Sequence, residues 1–179
     1  KDGKVIWLVR RILENFDSEI EGKGMPLGNY TSQFFANVYL NELDYFVKHK
    51  LKAKHYIRYV DDFVILHRNK KRLEYFRREI IEFLKTINLE LHPDKSQIFA
   101  LRNGITFLGY KIFYHHKILR KRNRKTFERK LAEKLRMHEE GLISKTYLIE
   151  SLQGWFGYSK WANTHKMRKI ILQKLESVN

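Results

Sequence analysis

The sequence predicts an α+β fold: an antiparallel sheet with packed helices, followed by a small helical bundle. Three observations point there. Two β-prone runs of strand length, the first rich in Tyr, Ile and Val and the second in Phe, Val, Ile and Leu, flank a bend at Val60-Asp61-Asp62. Such a pair reads as a hairpin. Leu73, Phe76, Ile80, Leu84 and Ile87 recur at three- and four-residue steps, the stripe of a helix that packs on one face. From Leu119 the composition turns basic, and three more helical patterns follow.

Taken in order, residues 1–16 read as a helix, with Val5, Leu8, Ile12 and Phe16 in one stripe and Trp7 and Leu13 beside it. Its start is ragged, and a further segment is expected before it. Asp17 to Lys23 is a polar connector, and Gly24, Pro26 and Gly28 mark a tight loop. Thr31 or Ser32 is placed to cap the next helix, whose stripe is Phe35, Tyr39, Leu43, Phe46 and Val47. Two readings of that junction stand side by side: an ordinary loop before a core helix, or backbone N–H groups facing an anionic ligand.

After the hairpin, Asn69 caps a helix running to about Ile87, with Lys70, Lys71, Arg72, Arg77, Arg78 and Glu79 toward water. Leu89-Glu90-Leu91 is predicted as a short strand, His92-Pro93-Asp94-Lys95-Ser96 as a turn, and residues 97–101 as another strand. Arg102-Asn103-Gly104 is read as a turn into a strand over 105–112. The basic run Arg120, Lys121, Arg122, Arg124 and Lys125 marks the domain boundary. Helices are predicted over 124–140, 144–162 and 164–177. Their seams are Phe127, Leu131 and Leu135; Leu148, Leu152, Trp155 and Phe156; and Met167, Ile170, Ile171 and Leu175.

Charge narrows the function classes. Thirty-six Lys and Arg against 20 Asp and Glu leave a net +16 on 179 residues. An excess of this size points to a polyanion, because neutralising phosphates releases counterions. Aromatic residues, 14% of the chain, add stacking platforms. An anionic membrane is the competing partner, but the basic helices carry core seams on their other faces, and nucleic acid is favoured. No apolar run approaches the ~20 residues that cross a bilayer, and a soluble cytoplasmic protein is expected. The absence of cysteine excludes disulfides and thiolate metal sites. The eight histidines lack zinc-like spacing, His115 and His116 being neighbours whose side chains would diverge on a strand.

Two carboxylates at a hairpin tip are oxygen ligands of the kind Mg²⁺ takes, and they leave room for phosphate oxygens. Asp is also a favoured turn residue, and an isolated Asp-Asp between strands is usually only a solvated turn. The neighbourhood tips the balance. Tyr59-Val60-Asp61-Asp62 resembles the Tyr-x-Asp-Asp signature of reverse transcriptases, and three further blocks follow in that family's order.

The resemblance is to the palm and thumb of prokaryotic, group II intron-like reverse transcriptases, and it runs over essentially the whole chain. Gly24 to Asp44 resembles the fourth conserved block, which implies a nucleotide pocket at Leu27, Gly28 and Gln33. The helix 69–87 with His92 to Ser96 resembles the sixth, which implies that Lys95 sits by the triphosphate and serves the leaving group. Phe107-Leu108-Gly109-Tyr110 resembles the seventh, the primer grip. Residues 1–118 would then be a partial palm and 119–179 a helical thumb, where Arg120, Lys121, Arg122, Arg124, Lys125 and Arg129 track phosphates and Trp155 is a core anchor. The fourth block reads Leu-Gly-x-x-x-Ser-Gln, which is similar to enzymes of diversity-generating retroelements.

The chemistry so implied is template-directed nucleotidyl transfer to a DNA or RNA primer on an RNA template, from dNTPs, with two divalent ions, Mg²⁺ or alternatively Mn²⁺, held by Asp61 and Asp62. An accessory protein or structured RNA is a further implied partner. One departure stands out: the family's third block carries another metal-binding aspartate on a strand, and neither Asp2 nor Asp17 sits in such a context. The fingers are absent as well. The chain is therefore expected to need an upstream segment carrying the fingers and that aspartate. Two other functions remain open from the sequence: an RNA-binding, maturase-like module that has lost catalysis, and an RNA-dependent RNA polymerase.

Overall fold

The computed structural model describes residues 2–14, 24 and 30–177. The chain divides into two compact units, Lys1–Ile98 and Phe99–Asn179. The α+β class holds. Among the described residues, six α-helices accompany one two-stranded and one three-stranded antiparallel sheet.

The first unit begins with α1 (Gly3–Glu14), where the periodicity places a helix, although none of its residues is buried. Helix α2 (Tyr30–Tyr45) runs on into a π-helical turn, Phe46–Lys50, closed by the Leu51 amide donating to the Phe46 carbonyl at 3.0 Å. Thr31 and Ser32 lie within α2, whose described span opens at Tyr30. The end of the first predicted helix at Asn15 and Phe16, the predicted connector Asp17 to Lys23 and most of the glycine loop, Leu27 and Gly28 included, lie outside the described residues. Strands β1 (His55–Tyr59) and β2 (Asp62–Leu66) form the predicted hairpin, with Tyr59 opposite Asp62 and His55 opposite Leu66.

Helix α3 (Lys70–Thr86) is capped as predicted: the Asn69 side chain accepts from the Lys71 amide at 2.8 Å and from the Arg72 amide at 3.4 Å. Its seam of Phe76, Ile80 and Leu84 closes on Leu43, Val47, Leu51 and Ala53. Tyr56, Phe63 and Ile65 from the hairpin pack against that core, and Phe46 stacks on Phe83 at 4.2 Å. Tyr39 leaves the predicted stripe of α2: it is exposed, and its hydroxyl donates to the Ile87 carbonyl at 2.6 Å. The strands predicted over 89–91 and 97–101 do not form. Leu89 and Leu91 instead lie as irregular chain against the core, since a β-prone run needs a neighbouring strand to bond to.

In the second unit a 3₁₀ turn (Leu101–Asn103) precedes β3 (Ile105–Phe107), β4 (Tyr110–Ile112) and β5 (Lys117–Leu119), paired in that order. The single strand predicted over 105–112 is therefore two. Phe107 pairs with Tyr110, leaving Leu108 (φ +49°) and Gly109 (φ +82°) as the loop. Positive φ at both positions is the type I′ pattern, whose twist matches that of the flanking strands. His115 and His116 lie in the β4–β5 connection and not on a strand.

The three helices are α4 (Lys121–Glu139), α5 (Lys145–Ser159, capped by the Ser144 side chain) and α6 (His165–Glu176). The basic run from Lys121 thus forms the first turns of α4. Phe127, Leu131, Leu148, Leu152, Ile171 and Leu175 make the bundle core, and Trp155 stacks on Phe127 at 3.6 Å. Ile170, placed in the seam by spacing, is 54% exposed. The core takes its neighbour Ile171 instead.

Candidate functional site

The two carboxylates sit where the hairpin turns. With Tyr59 paired to Asp62, the loop is Val60-Asp61, and Asp62 is the first residue of β2. Val60 has φ +54°, while Asp61 is not among the positive-φ residues. Positive φ at the first loop position is the type II′ pattern, where Gly is usual. For a β-branched side chain this backbone costs about 1–3 kcal/mol. Asp61 and Asp62 are both exposed. Strand alternation puts Asp62 on the face of Ile57 and Tyr59, each 58% exposed, and turns Tyr56 and Arg58 to the other side.

A polar clamp holds this turn to α2. Arg58, whose side chain is only 9% exposed, grips Asp44 with both arms, Nε donating to Oδ1 at 2.8 Å and Nη2 to Oδ2 at 2.5 Å. Its Nη1 donates to the Asn37 side-chain carbonyl at 2.9 Å and to the Val60 main-chain carbonyl at 2.7 Å. Tyr56 completes the set, its hydroxyl donating to Asp44 Oδ1 at 2.7 Å. The hydrogen bond from Arg58 holds the Asp44 carboxyl below the usual carboxylate range and raises the guanidinium in turn. Burial, then the bond to Asp44, pushes the Tyr56 hydroxyl well up.

The sign for stability follows from the depressed carboxyl. Its contribution is complete above the unfolded Asp value and is lost as pH falls through the lower folded value. Asp44→Asn is therefore expected to melt below wild type at neutral pH, with the gap closing as the solution is acidified past the carboxylate range. A gap that stays constant with pH would contradict the ion pair.

Among the remaining predicted site residues, Gln33 is exposed on α2, one helical turn before Asn37. Lys95 is exposed in a turn closed by the Ser96 amide donating to the His92 carbonyl at 3.1 Å, within the same compact unit as the hairpin. Phe107 to Tyr110 form the β3–β4 turn of the second unit. There the Arg120 amide donates to the Gly109 carbonyl at 2.9 Å, and the Tyr110 hydroxyl donates to the Tyr158 carbonyl at 2.8 Å.

Arg120 precedes α4. Lys121, Arg122, Arg124, Lys125 and Arg129 lie along it, all exposed, with Arg124 ion-paired to Glu128 at 3.4 Å. Two concavities of the second unit gather these cations. One of about 370 Å³ takes Lys111, Arg120, Lys121 and Arg124, and one of about 500 Å³ takes Arg122, Lys130 and Lys134 over Phe127, Leu131 and Trp155. The second unit holds 18 Lys and Arg against 6 Asp and Glu, +12 of the chain's +16.

Sequence reasoning passed over Arg58, Asp44 and Asn37. The available signal was a charged residue on the inward face of a strand, which calls for a partner. As a donor set, Asp61 and Asp62 are adjacent hard oxygen ligands suited to Mg²⁺. No group of three or more His, Cys, Asp or Glu is gathered among the described residues, and no described helix is long and apolar enough to cross a membrane.

A family model described as reverse transcriptase (RNA-dependent DNA polymerase) matches residues 6–112, a span that takes in α2, the hairpin, α3 and the β3–β4 turn. No curated protein matches the sequence. With more than half of its length matched, and with the Asp-Asp hairpin inside the match, the chain belongs to the reverse transcriptase (RNA-dependent DNA polymerase) family.

Proposed function

We propose that the protein is an RNA-directed DNA polymerase that adds dNTPs to a primer on an RNA template, with Asp61 and Asp62 as its metal ligands. The observation that carries this is the exposed Asp-Asp turn clamped to α2 inside the family match. Mg²⁺, or Mn²⁺ in its place, supplies charge neutralisation at the phosphates and activation of the primer hydroxyl. Asp61 is the principal ligand and Asp62 assists it. A third carboxylate comes from a fingers-bearing segment upstream. Gln33, with Leu27 and Gly28, lines the nucleotide pocket, and Lys95 stabilises or protonates the leaving group. Phe107 to Tyr110 grip the primer.

In this reading residues 1–118 are palm and 119–179 thumb, and the lineage is group II intron-like, nearest to diversity-generating retroelements in its Leu-Gly-x-x-x-Ser-Gln loop. An accessory protein or structured RNA assists, and the enzyme works in the cytoplasm. The test is primer extension on RNA by the longest natural polypeptide containing this sequence. DNA synthesis from dNTPs supports the reading. A preference for rNTPs assigns an RNA polymerase instead, and RNA binding without incorporation assigns a binding module.

The thumb reading makes its own prediction. Arg120, Lys121, Arg122, Arg124, Lys125 and Arg129 contact phosphates, so duplex affinity falls about a thousand-fold between 50 and 200 mM salt. Arg122→Gln and Arg129→Gln each flatten the logarithmic salt slope by about one unit. A salt-independent affinity measured by fluorescence anisotropy contradicts this.

A further inference from the structure

We infer that Arg58 is the positioning residue of the carboxylate pair: by tying the Val60 carbonyl to Asp44 and Asn37 of α2, it holds the strained turn that presents Asp61 and Asp62. This rests on the polymerase reading for its kinetic consequence, though not for its structural one. A two-stranded hairpin is marginal alone, and Val60 at φ +54° gives its tip a standing tendency to relax. One guanidinium opposes that tendency. Its Nε and Nη2 are spent on the two Asp44 oxygens, fixing the plane of the group, so that Nη1 meets the Val60 carbonyl from one direction only. The bond to Asn37 fixes the same nitrogen from the helix side. Helix α2 also carries Gln33, so the clamp sets the acidic tip and the proposed nucleotide-pocket helix in one frame.

Lysine at position 58 keeps the charge but not the fork. A single ammonium is a point donor and does not span two carboxylate oxygens and a carbonyl in fixed geometry. A misplacement of about 1 Å at reacting groups costs about a hundred-fold in rate. In primer extension by the full-length polypeptide, Arg58→Lys is expected to lower kcat 10- to 100-fold, while the KM for dNTP stays within about three-fold. Glycine adopts positive φ freely, so adding Val60→Gly to Arg58→Lys is expected to recover most of the lost kcat, with Val60→Gly alone close to wild type.

A second readout is independent of turnover. Titrated Mn²⁺ should broaden the Asp61 and Asp62 amide resonances at lower concentration in wild type than in Arg58→Lys, with Val60→Gly restoring the response. Unchanged kcat and Mn²⁺ response in Arg58→Lys overturns the inference. So does a loss that Val60→Gly leaves unrecovered in a protein whose melting curve is unaltered, since Arg58 would then act by another route. A wild type that incorporates no nucleotide overturns the polymerase reading alone, and the Mn²⁺ titration still decides the clamp.

Discussion

Replacing Asp61 and Asp62 together by Ala is expected to reduce template-directed nucleotide addition at least about a thousand-fold in the full-length polypeptide. The magnitude follows from the role proposed for them. Stabilising a developing phosphoryl transition state through carboxylate-bound ions contributes several kcal/mol, and about 4 kcal/mol corresponds to a thousand-fold in rate. The fold should barely notice, because both side chains are exposed and neither belongs to the clamp, whose hydrogen bond at the turn goes to the Val60 main chain. A circular-dichroism melt within a degree or two of wild type, beside lost incorporation, is the expected pair of results. Full activity in the double variant would end the proposed function.

The second large effect lies in the other unit and concerns stability. Gly109→Ala is expected to destabilise that unit by about 3 kcal/mol, part from the backbone and part from a collision. At φ +82° an L-residue is strained, and the added Cβ would stand 2.2 Å from the Tyr158 hydroxyl and 2.7 Å from Asn123 Nδ2. The tyrosine is not free to step aside. Asn123 Nδ2 donates to its hydroxyl at 3.3 Å, and its ring lies against Tyr110 with centroids 4.7 Å apart.

Tyr158→Phe separates the two costs. Without the hydroxyl the nearest tyrosine atom is a ring carbon at 3.3 Å, and Asn123 loses the partner that fixes it. Gly109→Ala should then cost only the backbone share, about 1–2 kcal/mol. A cycle of the two variants in urea melts that comes out additive would show that the hydroxyl is not the obstacle.

What the sequence made legible was whatever announces itself locally. The α3 seam and its Asn69 cap, the three bundle helices and the Asp-Asp hairpin each follow from spacing or turn chemistry within one short window. The failures share a different cause. Leu89 to Leu91 and residues 97–101 have strand composition, but pairing is decided by a neighbour that propensity does not see. The Leu108-Gly109 turn was hidden because Leu at positive φ leaves no turn signature, and β5 because it abuts the basic run. Arg58 was legible as an inward charge, but its partners Asp44 and Asn37 lie 14 and 21 residues away on another element. Among the proposed site residues, then, the sequence pointed to those with distinctive chemistry and not to the ones that hold them in place.

Helix α2 ends in one wide turn at Phe46–Lys50, a π-helical winding that holds more residues per turn than the α-helix before it. Ahead of it Asn37 and Asp44 meet Arg58; behind it Leu51 and Ala53 are seated in the core. Losing a single residue there would shift the helix against the seats of Leu51 and Ala53, so that Asn37 and Asp44 no longer meet Arg58 while the core stays filled. Lys48, His49 and Lys50 are exposed, so their side chains can be exchanged far more easily than their number can be changed. The constraint on that stretch is one of length before it is one of identity.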